Sequence, residues 1–125
     1  MDKEIKEFWE ACGFKPITHI QQYPDISTNR PDEIVAWLYP DNDKDYHLPE
    51  ITLDNLFKYA VPEVLEHSIN DIELSVSKYI APGYNEPLVR YYCQLKTENG
   101  TGWYTSSGDS PTQALYQAIK QVILK

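Results

Sequence analysis

Two hydrophobic periods alternate along this chain. Residues 3–13, "KEIKEFWEACG", place Ile5, Phe8, Trp9 and Cys12 at i, i+3, i+4 and i+7, the apolar stripe of an amphipathic helix. Gly13 follows as a C′ residue, able to enter left-handed backbone without a Cβ penalty. The same period returns over 53–69, where Leu53, Leu56, Phe57, Ala60, Val61, Val64, Leu65 and Ile69 trace one continuous face. Thr52 suits the N-cap of this helix, and Asp54 suits the positive end of its dipole. Pro62 interrupts the pattern. Its missing N–H predicts a kink or split near Lys58–Tyr59.

The period then changes to two. In "DIELSVSKYI", Ile72, Leu74, Val76 and Ile80 alternate with Glu73, Ser75, Ser77 and Tyr79. In "LVRYYCQLKT", Val89, Tyr91, Cys93 and Leu95 alternate with Arg90, Tyr92, Gln94 and Lys96. Each stretch predicts a strand with one face more apolar than the other. "PGYNEP" (82–87) joins them, and "ENGTG" (98–102), with its Asn99-Gly100 pair, turns into a third short strand, "GWYTSS" (102–107). Loops this short make the three strands antiparallel. A last helix is predicted over 111–124, with Ala114, Leu115, Ala118, Ile119 and Val122 on its buried face.

Between the first two helices the pattern is weaker. Residues 14–33 hold three prolines and many polar side chains, which predicts mostly irregular structure with one short strand near Thr18–Gln21. "IVAWLY" (34–39) reads as a strand and "PDNDKD" (40–45) as a turn. The fold class is therefore α+β, a three- to four-stranded antiparallel meander sandwiched by helices. One domain spans residues 1–125. Within it, 1–47 supply the N-terminal helix and irregular segment, and 48–125 form a compact α-β-β-β-α unit.

Charge changes this picture more than composition does. Residues 1–71 carry 15 acidic and 6 basic side chains, a balance of −9, while residues 72–125 carry 4 acidic and 5 basic, a balance of +1. Direct nucleic-acid binding needs Lys and Arg against phosphates, and neither half provides a basic cluster. No apolar run approaches the ~20 residues of a membrane span, and "MDKEIKEF" is too charged for a secretory signal. The two cysteines, Cys12 and Cys93, fit reduced, buried thiols in a cytoplasmic protein rather than a disulfide framework.

Few residues suggest chemistry. Gly108-Asp109-Ser110 resembles the short block of the GDSL esterases, but only 15 residues follow Ser110 and none is His. A serine nucleophile needs a base in reach. The structural reading is more specific: Ser110 and Gln113 match the S-x-x-Q capping box, Pro111 suits the first helical position, and Asp109 sits near the helix's positive end. Asp41, Asp43 and Asp45 are spaced like the start of a calcium loop, yet Tyr46 and Thr52 stand where that loop needs Gly and Glu. Cys12, Cys93, His19 and His47 show no zinc-ligand spacing. The α-β-β-β-α order is that of double-stranded-RNA-binding domains. Thr112 and Gln113 stand where that family grips phosphates with Lys, so the electrostatics do not match. Nothing calls for a cofactor or metal.

Aromatic residues carry the remaining signal. The chain has ten tyrosines. Tyr79 and Tyr92 fall on the polar strand faces beside Arg90 and Lys96, while Trp37, Tyr39 and Tyr84 sit in or next to loops. Exposed Tyr, Trp and Arg are enriched in protein interfaces. The alternative is that the first helix packs over that face and buries it.

Two segments, "LPEITLDNLFKYAVPEVL" (48–65) and "GDSPTQALYQAIKQVI" (108–123), are similar to small phage and prophage proteins of Gram-positive bacteria that carry the phage ABA sandwich domain. In that group a Leu-Pro precedes a capped amphipathic helix, and an Asp-Ser/Thr-Pro opens an Ala-rich last helix. "FWEACGF" (8–14) and Trp37–Tyr39 fit in order. The resemblance implies a layered α/β sandwich and a phage setting, with no catalytic residues.

The expectation is a non-enzymatic phage accessory protein that binds a host or phage protein. In one version it is an acidic inhibitor that occupies the nucleic-acid surface of a host defence nuclease with Asp25, Asp32, Glu33, Asp41, Asp43 and Asp45. The second reading is a binder of a small molecule such as a nucleotide signal, held by Arg90, Tyr92 and Lys96. The oligomeric state stays open, a homo-oligomer included.

Overall fold

The computed structural model describes residues 3–22, 33–67, 69–98, 100 and 102–124. The class is α+β, with helices and two three-stranded antiparallel sheets. The chain divides into two compact units, Met1–Pro49 and Glu50–Lys125.

The first unit opens with α1 (Lys3–Ala11). The helix ends as the sequence predicts. Gly13 has φ of +102°, its N–H donates to Glu10 O at 3.0 Å, and the Phe14 N–H donates to Trp9 O at 3.1 Å. These are the two bonds of a Schellman motif, and the apolar contact that accompanies it is present. The Trp9 and Phe14 rings stack at 5.1 Å, and Phe14 stacks in turn on Tyr39 at 4.6 Å.

The stretch expected to be mostly irregular carries regular structure. β1 spans Lys15–Thr18, and a single helical turn, α2, spans His19–Gln22. β1 pairs antiparallel with β2 (Ile34–Leu38), which pairs with the two-residue β3 (Lys44–Asp45). Pro16 is accommodated because β1 is an edge strand of the sheet, where a missing donor costs no ladder bond if it faces outward. The β2–β3 turn places Asn42 in the left-handed region at φ 71°, which Asn tolerates better than most residues. Asp25 and Asp32 lie outside the described residues.

In the second unit, Thr52 caps the helix as expected, its Oγ1 accepting the Asn55 N–H at 3.2 Å. The helix then changes type twice. α3 (Leu53–Asn55) leads into a π-helical turn, Leu56–Ala60, and α4 (Val61–Leu65) continues it. The Val61 N–H donates to Leu56 O, five residues back. Pro62 is the cause on the sequence side. It cannot donate to the carbonyl of Lys58, and widening the preceding turn relieves the clash. The expected split near Lys58–Tyr59 therefore takes the form of a π-turn. Leu56, Ala60 and Val64 are buried, while Phe57 and Leu65 face solvent, so the apolar face is narrower than the sequence suggests.

The sheet of this unit is the meander β4 (Ile69–Tyr79), β5 (Leu88–Thr97) and β6 (Trp103–Gly108), in that spatial order. In the turn between β5 and β6, the Gly100 N–H donates to Thr97 O at 3.0 Å; Asn99 lies outside the described residues. α5 (Pro111–Ile123) packs on one face, burying all five residues expected from its pattern. Gly108 allows the close approach, since a Cβ there would stand 3.0 Å from the Ala114 backbone nitrogen. The Ser106 hydroxyl donates to Ala114 O, and the Gln121 amide donates to Thr105 O at 2.8 Å. No helix among the described residues is long and apolar enough to cross a membrane.

Candidate functional site

The strands of the second unit sort their side chains by parity. Leu74, Cys93, Leu95, Tyr104 and Ser106 share the face toward α5. Alternate residues make the outer face, and the register arranges them in rows. Glu73, Gln94 and Thr105 lie across from one another, as do Ser75, Tyr92 and Ser107. Lys96 lies across from Trp103, and Arg90 from Ser77.

Four residues expected to form a site thus come together: Tyr79, Arg90, Tyr92 and Lys96 share the outer face. Tyr79 and Tyr92 are 41% and 38% exposed, so this face is not a buried layer. Trp103, 55% exposed, belongs with them and was missed. Its signal was the short connection between β5 and β6: the Thr97 N–H donates to Gly102 O at 3.1 Å, and the register that follows brings Trp103 beside Lys96.

Both cations of the face are engaged. Lys96 Nζ lies 3.7 Å from Glu73 Oε2 and 5.4 Å from the centre of the Trp103 ring. Arg90 reaches Asp109 Oδ1 at 3.4 Å and donates to Ser107 Oγ at 3.2 Å. Glu73 and Asp109 therefore pair the two cations, exposed Asp71 across from Lys96 adds a third carboxylate, and the face combines aromatic area with a small negative balance. Between the rows lies a shallow cleft of about 260 Å³, lined by Glu73, Ser75, Tyr92, Gln94, Thr105 and Ser106 among others. Cys93 also borders it. Burial pushes that thiol up from 9.0 to about 11, which keeps it protonated and unreactive at neutral pH.

The remaining expected site residues lie in the first unit. Trp37, expected beside a loop, is only 4% exposed and stands in β2 between Pro16 and Asp45. The correction has a simple cause: β2 is the central strand, so its large apolar side chain packs into the core. Tyr39 is half-buried, and its hydroxyl donates to His47 O at 2.5 Å. Asp41, Asp43 and Asp45 are exposed. Asp41 and Asp45 accept the backbone N–H of Asp43 and His47, each at 3.1 Å, so both are used to shape the turn. No metal-ligating cluster occurs among the described residues.

Gly108-Asp109-Ser110-Pro111 is a helix start. The Ser110 hydroxyl accepts the Gln113 N–H at 3.1 Å, and Gln113 Oε1 accepts the Asp109 N–H at 2.9 Å. Asp109 adds the ion pair to Arg90, so the same tetrapeptide starts α5 and anchors one cation of the outer face.

No family model, no curated protein and no solved structure matches the chain.

Proposed function

We propose that the protein is a non-enzymatic binding protein whose working surface is the outer face of the β4–β6 sheet, and that it binds another protein. One observation carries this reading. Tyr79, Tyr92 and Trp103 are exposed together on a face whose cations Glu73 and Asp109 already balance. Rigid aromatic area with few side-chain rotamers to freeze is what protein hot spots use, and a surface whose cations are paired has little electrostatic hold on a polyanion. Ser110, the residue most suggestive of hydrolysis, is occupied as a helix cap.

The resemblance to phage ABA sandwich proteins supports a setting in a bacterial host cytoplasm, with a host or phage protein as partner. The narrower version, an acidic inhibitor of a defence nuclease, draws on the exposed Asp41, Asp43 and Asp45 of the β2–β3 turn and on exposed Glu33. Immobilised wild-type protein should retain a partner from host extract that the Tyr92→Ala, Trp103→Ala double variant does not retain. Salt separates the versions. Binding through the aromatic face should persist as salt rises, whereas binding through the carboxylates should fall steeply and be lost when all three are changed to Asn. Equal retention by wild type and both variants would remove the proposal.

The cleft favours a second reading, a small ligand held beside Tyr92. A phosphorylated ligand would have to displace Glu73 from Lys96 or Asp109 from Arg90, which weakens the nucleotide version. A rise in melting temperature with a nucleotide, lost in Tyr92→Ala, would favour it.

A further inference from the structure

We propose that the protein forms a symmetric dimer by pairing β4 with β4 of a second copy, antiparallel about Leu74, so that two three-stranded sheets become one of six strands. This inference does not rest on the function proposed for the outer face.

β4 is an edge. It runs 11 residues, Ile69–Tyr79, and pairs with β5 along that whole length. Among the described residues no strand pairs with its other side. Alternate residues along β4 therefore direct N–H and C=O groups away from the sheet. Edges of this length are normally protected by proline, bulges, inward-pointing charges or brevity. β4 contains no proline; its one irregularity lies at one end, between Ile69 and Asp71, and its one charge on the α5 side, Lys78, lies near the other, so residues 72–76 carry none of these devices. The other edge, β6, has six residues. This central stretch also carries apolar side chains: Val76 is 58% exposed on the face that α5 covers elsewhere in the sheet.

The sequence of β4 selects the occupant. Antiparallel pairing about Leu74 sets Leu74 against its own copy and Ile72 against Val76, so every apolar residue of this face meets another. On the outer face Glu73 meets Ser75 and Asp71 meets Ser77. Lys78 meets Asn70, and no like charges stand directly opposite. Glu73 approaches its copy diagonally, but Lys96 already stands 3.7 Å from it. Shifting the axis to Ser75 would set Ile72 against Lys78. This self-match is what a twofold interface requires and what an arbitrary partner strand would not supply.

Light scattering should give wild-type protein at twice the 14.5 kDa chain mass, dissociating on dilution. Val76→Lys should raise the dimer dissociation constant by tenfold or more. Val89→Lys, at a residue 51% exposed on the interior strand β5, should leave it unchanged. Leu74→Cys places two thiols on the twofold axis, where opposite Cα atoms lie roughly 4.5–5.5 Å apart, within disulfide reach. Mild oxidation should then give a covalent dimer on a non-reducing gel, a readout that stands if Val76→Lys fails to fold. A wild type that is monomeric at every concentration would overturn the proposal. So would equal weakening by both valine variants, or a dimer that Leu74→Cys does not cross-link.

Discussion

The two faces of the β4–β6 sheet come from alternate residues of the same strands, and they are held in place differently. Toward α5, Cys93 and Leu95 are buried against Ala114, Leu115, Ala118 and Ile119, and Gly108 brings the strand end into contact with the helix start. Toward the outside, the same strands present Tyr79, Tyr92 and Trp103 with two ion pairs spread among them. Beneath α5 the inner face is fixed by volume, since Cys93 and Leu95 are almost wholly buried there. The outer face is fixed by side chains that could be exchanged without opening a cavity. A chain needs only the first arrangement to fold, so the second is where function can be placed.

The largest effect should come from breaking the inner face. Leu115→Ala leaves a cavity beneath the sheet and should cost about 2–5 kcal/mol in urea unfolding. Trp103→Ala, a larger deletion, should cost only about 0.5–1 kcal/mol, the scale of the exposed cation–π contact it removes. Equal costs would mean that the outer face is a second core, and the proposed binding surface would be lost with it.

A second test uses the buried thiol of the inner face. Burial raises Cys93 to about 11 from 9.0, so between those values the folded chain holds a proton that the unfolded chain has released. Stability contributed by the protonated thiol is complete below about 9 and is lost as pH rises toward about 11, by up to about 1.4 kcal/mol per pH unit. Cys93→Ala should show a flatter dependence across that window. Identical slopes would mean that the thiol is not desolvated in solution.

Ser110→Ala comes next, at about 1 kcal/mol, because it removes the acceptor for the Gln113 N–H. It should leave partner binding unchanged, whereas loss of binding at full stability would return Ser110 to the functional surface.

The same cap shows how far the sequence could be read. Ser110-x-x-Gln113 announced itself because a strong apolar period follows it. Thr18-x-x-Gln21 is the same pattern and forms a closely similar pair of bonds, with the Thr18 N–H itself donating to Gln21 Oε1 at 2.8 Å, where Asp109 donates in the other box, and the Gln21 N–H donating to Thr18 Oγ1 at 3.4 Å. It passed unnoticed because α2 is one turn long and has no periodicity. β1 was hidden by Pro16, which argues against a strand unless that strand is known to be an edge. Trp37 was misplaced because β2 was not known to be central. Within the candidate site, the alternation of β4 and β5 was enough to group Tyr79, Arg90, Tyr92 and Lys96. The pairing of those cations with Glu73 and Asp109 was not legible, since it depends on the inter-strand register.

The smallest effect tests that pairing. Lys96 and Glu73 are both substantially exposed, so their ion pair should contribute about 0.2–1 kcal/mol and be screened by salt. A double-mutant cycle with Lys96→Met and Glu73→Gln isolates that coupling. Met keeps an apolar stem over Trp103 while removing the charge, and Gln keeps the shape of Glu, so neither change should disturb the strand pairing. A coupling near the bottom of the range means that the outer face can be re-engineered while the fold stays intact, as a binding surface requires. A coupling well above about 1 kcal/mol would make Glu73 and Lys96 a structural clasp. The distinction between the two faces would then fail at its most polar row.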